Sequence, residues 1–104
     1  MKTRHTEVLV IRSRTAPTVE IDTEASAAYV RFRRGKVVQT RRHVSTWPIV
    51  TIDLDARGEV VGVEFIGVKK FNLGYLLAQI PLKASRHTLT QANYVSAETE
   101  FAAA

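Results

Sequence analysis

Between residues 18 and 66, apolar and polar side chains alternate with a period of two, the pattern of strands that bury one face. In 18–22, Val19 and Ile21 fall on one side, Glu20 and Asp22 on the other. In 27–33, Ala28, Val30 and Phe32 oppose Tyr29, Arg31 and Arg33. In 49–54, Val50, Ile52 and Leu54 oppose Thr51 and Asp53. In 59–66, Val61, Val63 and Phe65 oppose Gly62 and Glu64, which leaves Ile49, Val60 and Ile66 as uncovered apolar surface. Residues 37–44 alternate poorly and carry Arg41, Arg42 and His43, which marks an edge strand, where charge discourages unwanted pairing.

The connections are short. Asp22-Thr23-Glu24-Ala25 is a polar turn, and Arg34-Gly35 is predicted to supply the positive φ of a tight hairpin. Asp55-Ala56-Arg57-Gly58 has Asp and Gly at the two ends of a type I turn. The link 45–48 is longer, with Pro48 at a strand entrance because it has no N–H to donate. Beyond the strands, Leu73, Leu76, Leu77 and Ile80 repeat at i, i+3, i+4 and i+7, so a helix over 72–80 is predicted, capped by Asn72 and stopped by Pro81. Its four apolar side chains offer about 6–10 kcal/mol of burial before entropy. The predicted fold class is α+β: an antiparallel meander of four or five strands with one helix on one face. A single domain spans 1–84. Residues 6–12 fit an extra strand, and 85–104 fit a loose tail, a short second helix or an arm docking on a second subunit.

Composition adds exclusions. The 104 residues suffice for one domain, and the 45% hydrophobic content is ordinary for a globular chain. No apolar run is long enough to span a bilayer, and the short stretch 8–11 is too brief for a signal-peptide core, so a cytoplasmic location is expected and no membrane partner. Cysteine is absent, which removes disulfides, thiolate nucleophiles and Cys-based metal sites. The net charge is +5, concentrated in residues 1–50 with ten Lys/Arg against four acids. A basic half favours an acidic partner.

Ile21-Asp22-Thr23-Glu24-Ala25 followed by Ala28-Tyr29-Val30-Arg31-Phe32 resembles the opening of the bacterial "domain of unknown function 2283" (DUF2283) family. Residues 52–66, from Ile52-Asp53-Leu54 through the Asp55–Gly58 turn to Glu64-Phe65-Ile66, resemble its strand–turn–strand ending. The likeness covers roughly residues 18–70. It implies a small domain of strands plus a helix and assigns no activity. The position of some members beside small toxin genes implies an antitoxin-like, partner-binding role. The chain departs from the family pattern at Arg33, Arg34, Arg41 and Arg42, which are more basic, and in the link 43–48.

No catalytic set emerges. His5, His43 and His87 are dispersed, so neither a metal nor a cofactor is expected, although His43 could approach Asp53 across neighbouring strands. No serine has the Gly-x-Ser-x-Gly setting, and five scattered glycines form no phosphate-binding loop. The expectation is a non-enzymatic partner-binding module that pairs with itself as a homodimer and with another protein. The first alternative is nucleic-acid binding on a basic hairpin, with Tyr29, Arg31 and Arg33 on one strand face and Lys36, Arg41 and Arg42 returning beside them. Trp47 is a candidate contact anchor. The second alternative is a hydrolase using Asp53, Asp55 and Glu64.

Overall fold

The computed structural model describes residues 9–13, 15–43, 47–80, 82–84 and 91–96. His5, His87, Pro81, Phe101 and the terminal alanines lie outside these. The elements are β1 (Leu9–Val10), β2 (Thr18–Asp22), β3 (Ala27–Arg31), β4 (Gln39–Arg42), β5 (Ile49–Leu54), β6 (Val60–Ile66), α1 (Leu73–Leu77), β7 (Leu82–Lys83) and β8 (Asn93–Ser96). No helix among them is long and apolar enough to cross a membrane.

The main sheet has six strands in the order β4-β5-β6-β3-β2-β8. This corrects the expected meander of four or five strands. All neighbours are antiparallel except β8, which runs parallel to β2, so the sheet is mixed. Sequential pairing of β3 with β4 is replaced by pairing of β3 with β6. The reason lies in composition. β6 is the most apolar strand and is buried over most of its length, whereas every residue of β4 is exposed. The centre of a sheet covers both flanks of a strand, so the apolar strand takes it and the charged strand goes to the rim.

Residues 32–38 therefore form a crossing link rather than the predicted Arg34-Gly35 hairpin. Three strand spacings, about 14 Å, separate β3 from β4. Seven extended residues reach about 23 Å, where a two-residue turn could not. Gly35 does not adopt a left-handed φ. It lies beside Val61, with room for a Cβ 3.7 Å from Val61 Cγ2. The crossing begins with the Phe32 N–H donating to the Val61 carbonyl and ends with the Val38 N–H donating to that of Leu54.

Pairing register builds the core in rows. Val19, Val30, Val63 and Ile52 align across four strands, and Ile21, Ala28, Phe65 and Val50 align beside them. All but Ile21 are buried. A register shift between Asp53 and Leu54 pairs Leu54 with Val60. That irregularity puts Val60 in the core cluster, not on uncovered surface, and leaves Val61 buried outside it. One extra residue reverses the facing of everything beyond it.

One layer covers this face. α1 contributes Leu73, Leu76 and Leu77, followed by Ile80. It is shorter than the predicted 72–80, because after Ala78 the Gln79 and Ile80 N–H groups bond three residues back, to Leu76 and Leu77. Five residues do not hold a helix alone; packing and the Asn72 cap do. Asn72 Oδ1 accepts from the Tyr75 N–H at 2.8 Å, as predicted. β1 and β7 pair in parallel and add Leu9 to the same cover, extended by Ile11. The described part of 85–104 supplies β8. Its Tyr94 reaches over the helix start and accepts a hydrogen bond from the Leu73 N–H at 3.0 Å.

Candidate functional site

The opposite face of the sheet carries no second layer among the described residues. It is organised by rows that the register brings together. Thr18, Arg31, Gly62, Asp53 and Thr40 form one row, and Glu20, Tyr29, Glu64, Thr51 and Arg42 form the next. Gly62 has no side chain, and the Tyr29 ring leans across it from the neighbouring row. The Tyr29 hydroxyl then donates to Asp53 Oδ2 at 2.8 Å, and the Thr40 hydroxyl donates to Asp53 Oδ1 at 2.7 Å. On the other flank, the Arg31 guanidinium sits 4.9 Å from the Tyr29 ring centroid and donates from Nε to Glu20 Oε2 at 3.2 Å. The phenol is half-buried. Desolvation, reinforced by the Asp53 carboxylate that accepts its proton, pushes its pKa well above the ordinary value.

Arg33 stands past the end of β3 and faces the β5–β6 turn. Its Nη1 donates to Asp55 Oδ2 at 2.6 Å and to Glu59 Oε1 at 3.0 Å. Asp55 also caps that turn, with Oδ1 accepting from the Glu59 N–H at 3.0 Å and the Arg57 N–H at 2.9 Å. The turn closes with the Gly58 N–H donating to the Asp55 carbonyl, and Gly58 takes φ +78°. This is a three-residue hairpin loop with a left-handed glycine, and the Asp and Gly sit where the sequence pattern places them. The N–H groups, that of Glu59 first, together with Arg33, hold the Asp55 carboxyl below its usual range.

The six residues of the predicted basic hairpin are therefore dispersed. Tyr29 and Arg31 are in the middle of the open face, and Arg33 is at the turn. Lys36 is on the exposed crossing link, and Arg41 and Arg42 are on the far edge strand. Arg42 follows Thr40 on the open face, while Arg41 opposes the buried Ile52 on the covered side. Lys36, Arg41 and Arg42 do not return beside Tyr29 and Arg31, because β5 and β6 lie between. His43 sits opposite Val50, so Asp53 meets Thr40 instead.

The three carboxylates of the hydrolase alternative are also apart. Asp53 is held by two hydroxyls, Asp55 by the turn and Arg33, and Glu64 opposes Thr51 and Tyr29. A cavity beside Glu64 is shared with Glu20, Asp22 and Tyr29, and includes neither Asp53 nor Asp55. Trp47 is 64% exposed and its indole lies flat against Gly67, which has φ +89°. What sequence reading missed is the Tyr29–Asp53–Thr40 connection. A glycine flanked by valines in a strand was its signal, since a strand glycine often marks close approach of another group.

The family model described as "Protein of unknown function (DUF2283)" matches residues 18–69, half of the chain. The chain belongs to this family. The DUF2283 match runs from β2 to the residues just beyond β6, so it contains the five antiparallel strands and the whole Tyr29–Asp53–Thr40 row. The helix, β1, β7 and β8 lie outside it. Searches of the curated proteins and of the solved structures gave no match.

Proposed function

We propose that this DUF2283 protein is a non-catalytic binding module that captures an acidic, extended segment of a partner protein along the outer edge of β4. The observation that carries this reading is an unbroken exposed stretch, residues 34–42, ending in a strand that pairs on one side only among the described residues. It contains Arg34, Lys36, Arg41 and Arg42, and no acidic residue occurs between Glu24 and Asp53. Val37 and Val38 are exposed within it, Val38 to 55%. The His43 N–H bonds to β5, so by antiparallel alternation the N–H groups of Thr40 and Arg42 point outward. Main-chain pairing gives such an edge affinity, and the cations select an acidic strand. The structural duties of Asp53 and Asp55 support a non-catalytic reading. An antitoxin-like role is one case of it, with a small toxin as the partner.

The test is an NMR titration with a peptide of alternating Glu and Val. The expected result is perturbation of amides 36–42 and slowed exchange at Thr40 and Arg42, abolished in a Lys36→Glu/Arg42→Glu variant. A folded protein whose amides ignore the peptide at millimolar concentration overturns the reading. The same acid-free stretch favours nucleic-acid binding as a second reading. A single-stranded oligonucleotide that binds where the peptide does not, with affinity falling steeply with salt, would select it.

For self-association we infer a homodimer through β8. Two antiparallel β4 edges would set arginine against arginine, which destabilises pairing. β8 carries no charge and exposes Tyr94 and Val95. Sedimentation velocity should show a dimer that Val95→Glu converts to a monomer; a monomeric wild type, or an unaffected dimer, removes this contact.

A further inference from the structure

The strand register leaves a hollow on the open face. Asp22, Ala27 and Ile66 form a row beside that of Glu20, Tyr29 and Glu64. The Tyr29 ring leans away from this row toward Gly62, so only the Ala27 methyl stands between β2 and β6, which lie about 10 Å apart. The result is a cavity of about 310 Å³ with Ala27 as its floor, Glu20 and Asp22 on one wall and Glu64 and Ile66 on the other. No lysine or arginine lines it. Glu20 is tied to Arg31 at 3.2 Å, and Asp22 Oδ1 accepts from the Ala25 N–H at 3.2 Å. The Glu64 carboxylate is half-buried on a central strand, yet among the described residues it has neither an ion pair nor a hydrogen-bond partner. A second cavity, of about 340 Å³, adjoins the first through Ala25 and Ile66, which line both. Its lining is mostly apolar, with the exposed Trp47 against Gly67, the buried Val68, and Lys69.

We propose that the two hollows together dock an extended segment of a partner protein in which a large apolar residue and a lysine or arginine are separated by one residue. Along β6, Ile66 and Glu64 lie two positions apart, about 7 Å. Alternate side chains of an extended segment share one side at that same spacing. The apolar residue meets Trp47, Ile66 and Val68 while the cation reaches Glu64 over the Ala27 floor. The alanine methyl and the Tyr29 ring cover the aliphatic stem of that cation. Lys69 lines only the Trp47 hollow, so it repels a cation there and fixes the direction in which the segment lies. Charge selects the occupant: Glu64 lacks the counter-ion that a half-buried carboxylate calls for, and Glu20 and Asp22 add to its field. β5 separates this site from the outer edge of β4, so the two can hold segments of opposite charge at once.

The experiment is a titration of the whole chain with the end-blocked peptide Ser-Leu-Ser-Lys-Ser, followed by tryptophan emission and by NMR. The peptide should shift the Trp47 emission and move the amides of residues 25–27 and 64–69. The isomer Ser-Ser-Leu-Lys-Ser puts leucine and lysine on opposite sides and should bind about tenfold more weakly. Glu64→Gln keeps the shape of the side chain, removes its charge and should also cost about tenfold. Ala27→Val fills the floor with a residue that suits a strand, so it should weaken binding while the fold stays intact. No response at millimolar peptide, equal affinity for the two isomers, a Glu64→Gln variant that binds as well as wild type, or shifts confined to residues 36–42 would each overturn the proposal. So would n-butylammonium binding as tightly as the peptide, which would mark a site for small amines instead.

Discussion

The Tyr29 ring occupies the space that a side chain at Gly62 would fill. A Cβ built on Gly62 falls inside the van der Waals shell of the phenol, and only the absence of one lets the hydroxyl reach Asp53 on the next strand. In an ordinary strand, alanine for glycine stabilises by about 0.5–1 kcal/mol. Here Gly62→Ala should instead destabilise by about 2–3 kcal/mol, from overpacking plus the lost hydrogen bond. Chemical denaturation of Gly62→Ala, Tyr29→Ala and the double variant checks this. The double should cost clearly less than the two singles together; strict additivity would contradict the contact.

The Tyr29 phenol should ionise well above free tyrosine in an ultraviolet pH titration, chiefly because it is desolvated and then because it donates to Asp53. Asp53→Asn should bring its midpoint down toward the ordinary value. The raised native pKa makes a stability contribution that is complete below the unfolded tyrosine value. It declines as pH rises past that value toward the native one. Tyr29→Phe should flatten that alkaline limb.

Asp55 predicts the opposite limb. Its carboxyl is held below its ordinary 3.8, first by the Glu59 N–H and then by the Arg57 N–H and Arg33. The resulting stability is present above that ordinary value and is lost as pH falls through the depressed native one. Asp55→Asn should therefore reduce stability at neutral pH and shift the acid-unfolding midpoint to a higher pH. Circular dichroism across an acid titration reads both.

Asn72→Ala removes the acceptor for the Tyr75 N–H and should cost about 1 kcal/mol. Tyr94→Phe removes the acceptor for the Leu73 N–H and cuts the side-chain tie between β8 and the helix. Hydrogen exchange should then accelerate at 93–96 while the amides of β3 and β6 keep their protection. Uniform acceleration across the sheet would mean that β8 and the central strands open as one unit.

Trp47 is the sole tryptophan and lies over Gly67. Gly67→Ala adds a Cβ both at φ +89° and beneath the indole, so it should destabilise by about 2 kcal/mol and shift the tryptophan emission. An unchanged emission spectrum would place the indole elsewhere.

The alternation from Val19 to Phe65 determined the strands and which side of each is buried, because side-chain direction in a strand is a local consequence of its period of two. The Asp55–Gly58 turn, the Asn72 cap and the helix beginning at Leu73 were readable for the same reason: each depends on residues within four positions of one another. Strand order was not local. Whether Ala27–Arg31 pairs with Gln39–Arg42 or with Val60–Ile66 is decided by which strand gains more from losing its solvent on both sides, a comparison between distant segments. The extra residue that turns Val60 inward, the strand formed at 93–96 and the meeting of Tyr29 with Asp53 across Gly62 all follow from that order. So does the scattering of Arg31, Arg33, Lys36, Arg41 and Arg42 over different surfaces: charge can be counted along a chain, but only the packed sheet decides which charges share a face.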